Sequence, residues 1–153
     1  MPMRLAGFGM LGRNYSTEEY QRIKDQEIEG FGGLTFREWM IGFSEEFMKL
    51  KFGKDIWGKI LRARIEIAGH PEVLLIPDIG FIEETQVLID WVGVENFLLV
   101  RLSREGYDWG NDSRRYVNHP DPLVNVLNLQ NDYSVDIAKN RVINTILTMN
   151  WNI

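Results

Sequence analysis

The stretch RLSREGYDWGNDSRRYV places Arg101, Arg104, Arg114 and Arg115 within fifteen residues of an otherwise acidic chain. Planar guanidinium forks grip phosphate oxygens two at a time, and each charge-assisted contact contributes about 1.5–3 kcal/mol. Tyr107, Trp109 and Tyr116 are interleaved with these arginines or flank them and could stack on a base, and Asp112 and Ser113 belong to the same run. The competing reading is a solvated loop in which the arginines pair with Asp108, Asp112 and Asp121, at little net gain. A second group is Asp78, Glu83 and Glu84. Such carboxylates could hold magnesium or orient a sugar hydroxyl; as acids at a helix start they would equally complement the macrodipole. Arg37, Lys49, Lys51 and Lys54 add positive charge farther upstream, although lysines at a helix end need no ligand to explain them.

Other chemistries find little support. There is no cysteine, which excludes a thiol nucleophile, a thiolate zinc site and a disulfide framework. His70 precedes a proline and His119 falls in a loop; neither carries the surroundings of a general base, and two histidines do not make a histidine-rich metal site. No cofactor or metal is expected. The stretch GFGMLGRN, Gly7 to Asn14, spaces two glycines as a Walker loop does. Arg13 and Asn14 stand where the lysine and the magnesium-binding hydroxyl are needed, so two required groups are missing.

These residues need elements to position them. With 153 residues, 44% hydrophobic and 12% aromatic, the chain can build one domain with a proper core. Seventeen basic against twenty-two acidic residues give a net charge of -5, which disfavours broad binding to duplex nucleic acid or an anionic membrane. No apolar stretch approaches the ~18 residues of a membrane span and no signal-peptide pattern opens the chain, so a cytoplasmic protein is expected.

Ser16 with Glu19 and Thr35 with Glu38 are capping boxes, which predict a helix from Ser16 to about Glu29 and another from Thr35. Phe36, Trp39, Met40, Phe43, Phe47 and Leu50 share one face of the second. A third helix is expected from Lys54 to Ala68; Trp39 on the second helix and Trp57 on the third fall in apolar register as core residues. Val73–Ile76, an unbroken apolar run, predicts a buried parallel strand ending at Asp78. Phe81–Val92 reads as a helix, Phe97–Leu102 as a second strand, Glu105–Pro122 as a surface loop, Val124–Leu129 as a third strand, and Ser134 as the cap of a last helix. This order predicts an α/β fold: three layers, with a mostly parallel sheet flanked by helices, ligands binding beyond the carboxyl ends of the strands. The single domain would comprise a helical part over 12–69 and a strand and helix core over 72–151.

Three blocks, GGLTFREWMIGFSEEFMKLKFGKDIW, VLLIPDIGFIEETQVL and VRLSREGYDWGNDSRRYV, resemble in order and spacing the downstream two-thirds of the phage deoxynucleoside monophosphate kinases. The resemblance covers roughly Gly12 to Ile146 and implies a truncated P-loop-kinase-like fold without the P-loop strand and helix. It makes the Walker-like spacing of Gly7 to Asn14 a coincidence. It matches Arg37 to the arginine that approaches the nucleotide monophosphate, Trp57 to the block near the base, and Asp78 with Glu83 and Glu84 to a strand-end acidic motif. Gly80 stands where many members have arginine. Arg104 and the Asp112–Ser113–Arg114 run match the mobile lid that closes on phosphates.

The resemblance therefore implies a protein that kept the acceptor side of a kinase and lost its ATP side. Without a donor cradle, phosphoryl transfer has no positioning device. The expected function is non-catalytic binding of a nucleotide, or of a nucleotide-derived immune signal of a phage host, which would be sequestered. An active monophosphate kinase or a phosphohydrolase using Arg13, Arg104 and Arg114 is the alternative, and a protein-interaction module the third. The missing central strand further implies a rearranged sheet or a homodimer.

Overall fold

A computed structural model describes residues 2–77, 79–107, 116–131 and 134–149. The chain divides into two compact units, Met1–Ile56 and Trp57–Ile153.

The first unit is helical. Helix α1 (Pro2–Met10) occupies the amino-terminal stretch, where proline is accommodated because the first helical N–H has no intrahelical partner. Gly7 to Met10 are thus helical, and Gly12, at φ 63°, lies in the turn that ends the helix. No strand leads into these glycines, so GFGMLGRN is not a phosphate-cradling loop. Ser16 caps α2 (Thr17–Ile23) through a complete capping box with Glu19. This helix is shorter than its charge pattern predicts: it stops at Ile23, and Glu27 instead bridges to Thr35 as an isolated antiparallel pair. Thr35 opens the long helix with a second complete box, its Oγ1 accepting from Glu38 N–H at 3.1 Å while the Glu38 carboxylate accepts from Thr35 N–H at 2.9 Å.

That helix runs as α3 (Phe36–Gly42), a π-helical segment (Phe43–Met48) and α4 (Lys49–Phe52). The widened turn is sealed by Lys49 N–H donating to the Ser44 carbonyl, five residues back. Phe8, Tyr20, Phe31 and Phe36 form the buried core of the unit, their rings meeting edge to face at 5.4–6.2 Å. Arg4 lies 3.9 Å over the Tyr20 ring. Gly7 is required by this packing, since a Cβ there would meet the Phe36 ring at 2.6 Å.

The second unit joins helices to a two-stranded parallel sheet. Helix α5 (Ile56–Ala68) packs on α6 (Ile82–Val92) at Gly58, where a Cβ would lie 2.9 Å from the Glu84 carbonyl oxygen. Thr85 is fully buried, its hydroxyl donating to the Phe81 carbonyl at 2.9 Å. Strands β1 (Leu98–Ser103) and β2 (Asn125–Gln130) pair in parallel, Leu98 opposite Asn125 through Ser103 opposite Gln130. Ile89, Leu99, Val117 and Val124 form a buried cluster of this unit. Ser134 caps α7 (Val135–Thr148).

The chain is thus a mixed α/β protein, and one expected strand is corrected. The described residues form a sheet of two parallel strands. Val73–Ile76 is not a buried strand: among the described residues it has no strand partner, and Val73 and Leu75 are 62% and 75% exposed. An apolar run becomes a strand only where a neighbouring strand takes its N–H and C=O groups, and β1 pairs with β2 instead. Asp78, expected at that strand's end, lies outside the described residues.

Two measurements test this packing. Gly58→Ala should lower stability by about 1–3 kcal/mol, because backbone atoms of α6 cannot yield to the new methyl. Gly9→Ala, in open space on α1, should raise it by about 0.5–1 kcal/mol, and urea melts of the two variants read the difference directly. The Thr35 backbone N–H, and then its hydroxyl, hold the Glu38 carboxyl below its ordinary value of 4.5. A depressed folded-state value stabilises the native chain above the ordinary value and is lost as pH falls through the depressed one. Glu38→Gln should therefore flatten the fall in melting temperature below about pH 4.5 and leave its slope near neutrality unchanged.

Candidate functional site

The parallel register brings the carboxyl ends of β1 and β2 side by side. Asn131 N–H donates to the Ser103 carbonyl at 2.6 Å, extending the ladder one step past Gln130. Immediately beyond, Arg104 to Tyr107 form a tight turn: Tyr107 N–H donates to the Arg104 carbonyl at 3.2 Å, and Gly106 takes φ 75° at the third position. That position demands a left-handed residue, which favours glycine. The turn sets the Arg104 guanidinium over the Tyr107 ring, 4.8 Å from its centre. Tyr107 is 70% exposed and Arg104 is exposed as well. A cation stacked on a phenol ring presents a fork for an anion and an aromatic surface for a flat ligand in one place.

Arg101 has a different position. Its Nε and Nη2 both donate to the Val117 carbonyl, at 3.0 and 2.6 Å. The Tyr116 hydroxyl donates to the Leu102 carbonyl at 2.6 Å. These bonds strap residues 116 and 117 to β1, so Arg101, expected among the phosphate ligands, acts here as a clasp for the returning chain. His119 adds a further tie. Asp121 N–H donates to its Nδ1 at 3.2 Å, which leaves Nδ1 without a proton, so Nε2 is the donor to Gln86 Oε1 at 2.8 Å. Gln86 in turn donates to Asp90 Oδ1 at 2.7 Å, anchoring the segment before β2 on α6.

The remaining candidates belong to other elements or lie outside the described residues. Arg37, in the first unit, pairs through Nε with Asp25 Oδ1 at 2.8 Å, both side chains being largely exposed. Trp57 is half-buried in the first turn of α5. Glu83 and Glu84 occupy the first turn of α6, where they complement the helix dipole. Trp109, Asp112, Ser113, Arg114 and Arg115, like Asp78, lie outside the described residues. Among the described residues no group of three or more histidine and acidic side chains is placed to hold a metal ion, and no helix is long and apolar enough to cross a membrane.

Sequence reasoning missed the Arg101–Val117 clasp and the His119–Gln86 tie, whose partners sit 16 and 33 positions apart. Comparison with family models, with curated proteins and with solved structures finds no match for this chain.

The tautomer assignment is open to direct measurement. Nitrogen-15 chemical shifts of His119 at neutral pH should show a protonated Nε2 and a bare Nδ1. Gln86→Leu should lower stability by about 1 kcal/mol through loss of this bond, and a protonated Nδ1 would contradict the geometry.

Proposed function

We propose that the chain binds a nucleotide or nucleotide-derived anion without transforming it, at the carboxyl end of β1. The observation that carries this reading is the Arg104–Tyr107 pair, exposed beyond the ends of two parallel strands, the position where open α/β sheets bind their ligands. The Tyr107 ring offers a stacking surface for the base, and Arg104 a bidentate contact for a phosphate. Arg114 and Arg115 follow within eleven positions and supply further guanidinium groups in this proposal.

Sequestration is preferred over phosphoryl transfer because the one glycine spacing that could cradle ATP belongs to helix α1 and the turn after it. Transfer depends on positioning and charge neutralisation around the donor phosphates. In this reading the protein is related to the acceptor side of the phage monophosphate kinases, and its cargo includes nucleotide signals of host immunity. Self-association belongs to the same proposal: two strands alone make a marginal sheet, and a homodimer would cover part of the exposed apolar surface around Val73 and Leu75.

A panel of mono-, di- and cyclic nucleotides, read by thermal shift, tests the proposal. At a hundredfold excess over Kd the bound ligand stabilises the native state by about 2.7 kcal/mol. The bound species, released on denaturation and weighed by mass spectrometry, should be unchanged. Arg104→Ala and Tyr107→Ala should each weaken binding at least tenfold and leave the ligand-free melting point close to that of the parent. Turnover of ATP with a monophosphate, or no shift with any nucleotide, would overturn the reading.

A further inference from the structure

The hydrogen bonds through His119 form a chain with one direction. Asp121 N–H donates to Nδ1 at 3.2 Å, Nε2 meets Gln86 Oε1 at 2.8 Å, and the Gln86 amide donates to Asp90 Oδ1 at 2.7 Å. A backbone N–H only donates and an ionised carboxylate only accepts, so the two ends fix the polarity of the middle. The ring between them must be neutral, with its one proton on Nε2. An imidazolium carries a donor on each nitrogen and would set a new N–H against that of Asp121. The chain admits one charge state of the ring.

Asp121 is the hub of the turn that feeds β2. Its N–H is held by the ring, its Oδ1 accepts from Leu123 N–H at 2.9 Å, and its carbonyl accepts from Val124 N–H at 3.3 Å. Val124, at the end of this turn, is buried, whereas His119 is only half-buried. On the elements that meet here the charged side chains are Glu83, Glu84 and Asp90 of α6, Arg101 of β1 and Asp121 of the turn itself; β2 carries none. Arg101 is engaged with the Val117 carbonyl. Asp90 is reached from the ring only through Gln86, which leaves the Asp121 carboxylate as the acid within the ring's own turn.

We propose that His119 is a pH-sensitive latch on the entry to β2: the neutral ring holds the Asp121 N–H, and the protonated ring releases it. Histidine is the side chain that changes charge between about pH 5 and 8. On protonation the Nε2–H bond to Gln86 survives, so the ring stays on α6 while the turn lets go. The new Nδ1–H takes the Asp121 carboxylate as its acceptor, which also uncaps Leu123 N–H. One proton thus frees two amides. The latch is independent of the nucleotide proposal and operates whether or not a ligand is bound.

NMR of the intact, nitrogen-15-labelled protein at about pH 7.5 and about pH 5 tests the proposal. At the higher pH a scalar coupling across the hydrogen bond should join the Asp121 amide nitrogen to His119 Nδ1. At the lower pH, with ring shifts showing both nitrogens protonated, that coupling should be gone. Over the same interval the hydrogen-exchange protection factors of the Asp121 and Leu123 amides should fall by about tenfold, with that of Leu99 in β1 unchanged. His119→Asn keeps an acceptor for the N–H two residues on, as in an Asx turn, and does not titrate; its protection at both amides should be the same at the two pH values. A ring that stays neutral at the lower pH, a coupling retained by a charged ring, unchanged protection, or the same fall in the folded His119→Asn protein would overturn the proposal. The coupling is read on the unsubstituted chain, so the outcome does not depend on how well the variant folds.

Discussion

The parallel pairing of β1 with β2 is the constraint on which the second unit depends. Two parallel strands cannot be joined by a hairpin, so the chain from Ser103 must travel back before entering at Asn125. That return is held at several points: Arg101 and Tyr116 clasp it to β1, Val117 and Val124 are buried in the core, and His119 ties it to α6. The register also fixes what emerges at the carboxyl ends. Ser103 and Gln130 finish together, and the Gly106 turn then points Arg104 and Tyr107 at one another instead of continuing the strand.

Charge in this unit divides into structural and available groups. Arg101 donates from Nε and Nη2 to the carbonyl of the buried Val117, a use that contributes to the fold whatever binds nearby. Arg104, three residues on, rests on a ring in solvent. The same residue type thus has two settings on one strand and its exit, one engaged with a backbone carbonyl and one lying over an exposed ring.

Much of the fold was legible because local signals agreed with the global structure. Both capping boxes form as written, since Ser16, Glu19, Thr35 and Glu38 need only their own turn to make their bonds. Helix α6, both strands and α7 begin within about two residues of their expected positions, a margin typical of element ends. What failed required knowledge of neighbours. Val73–Ile76 has the composition of a strand and, among the described residues, no strand to pair with. The π-helical turn is invisible in helical periodicity, although the 4, 4, 5 spacing of Trp39, Phe43, Phe47 and Phe52 is its trace. At the site, residue type pointed to Arg101 and Arg104 alike. Distinguishing them needed the position of the Val117 carbonyl, sixteen residues away.

The central claim is that a nucleotide meets the chain where β1 ends. An amide-resolved NMR titration with the tightest nucleotide ligand addresses it most directly. The account predicts that signals of Ser103 to Tyr107 and of Asn131 shift together along one saturating curve. Shifts confined to Pro2–Phe52, or no shifts at all under saturating ligand, would contradict it.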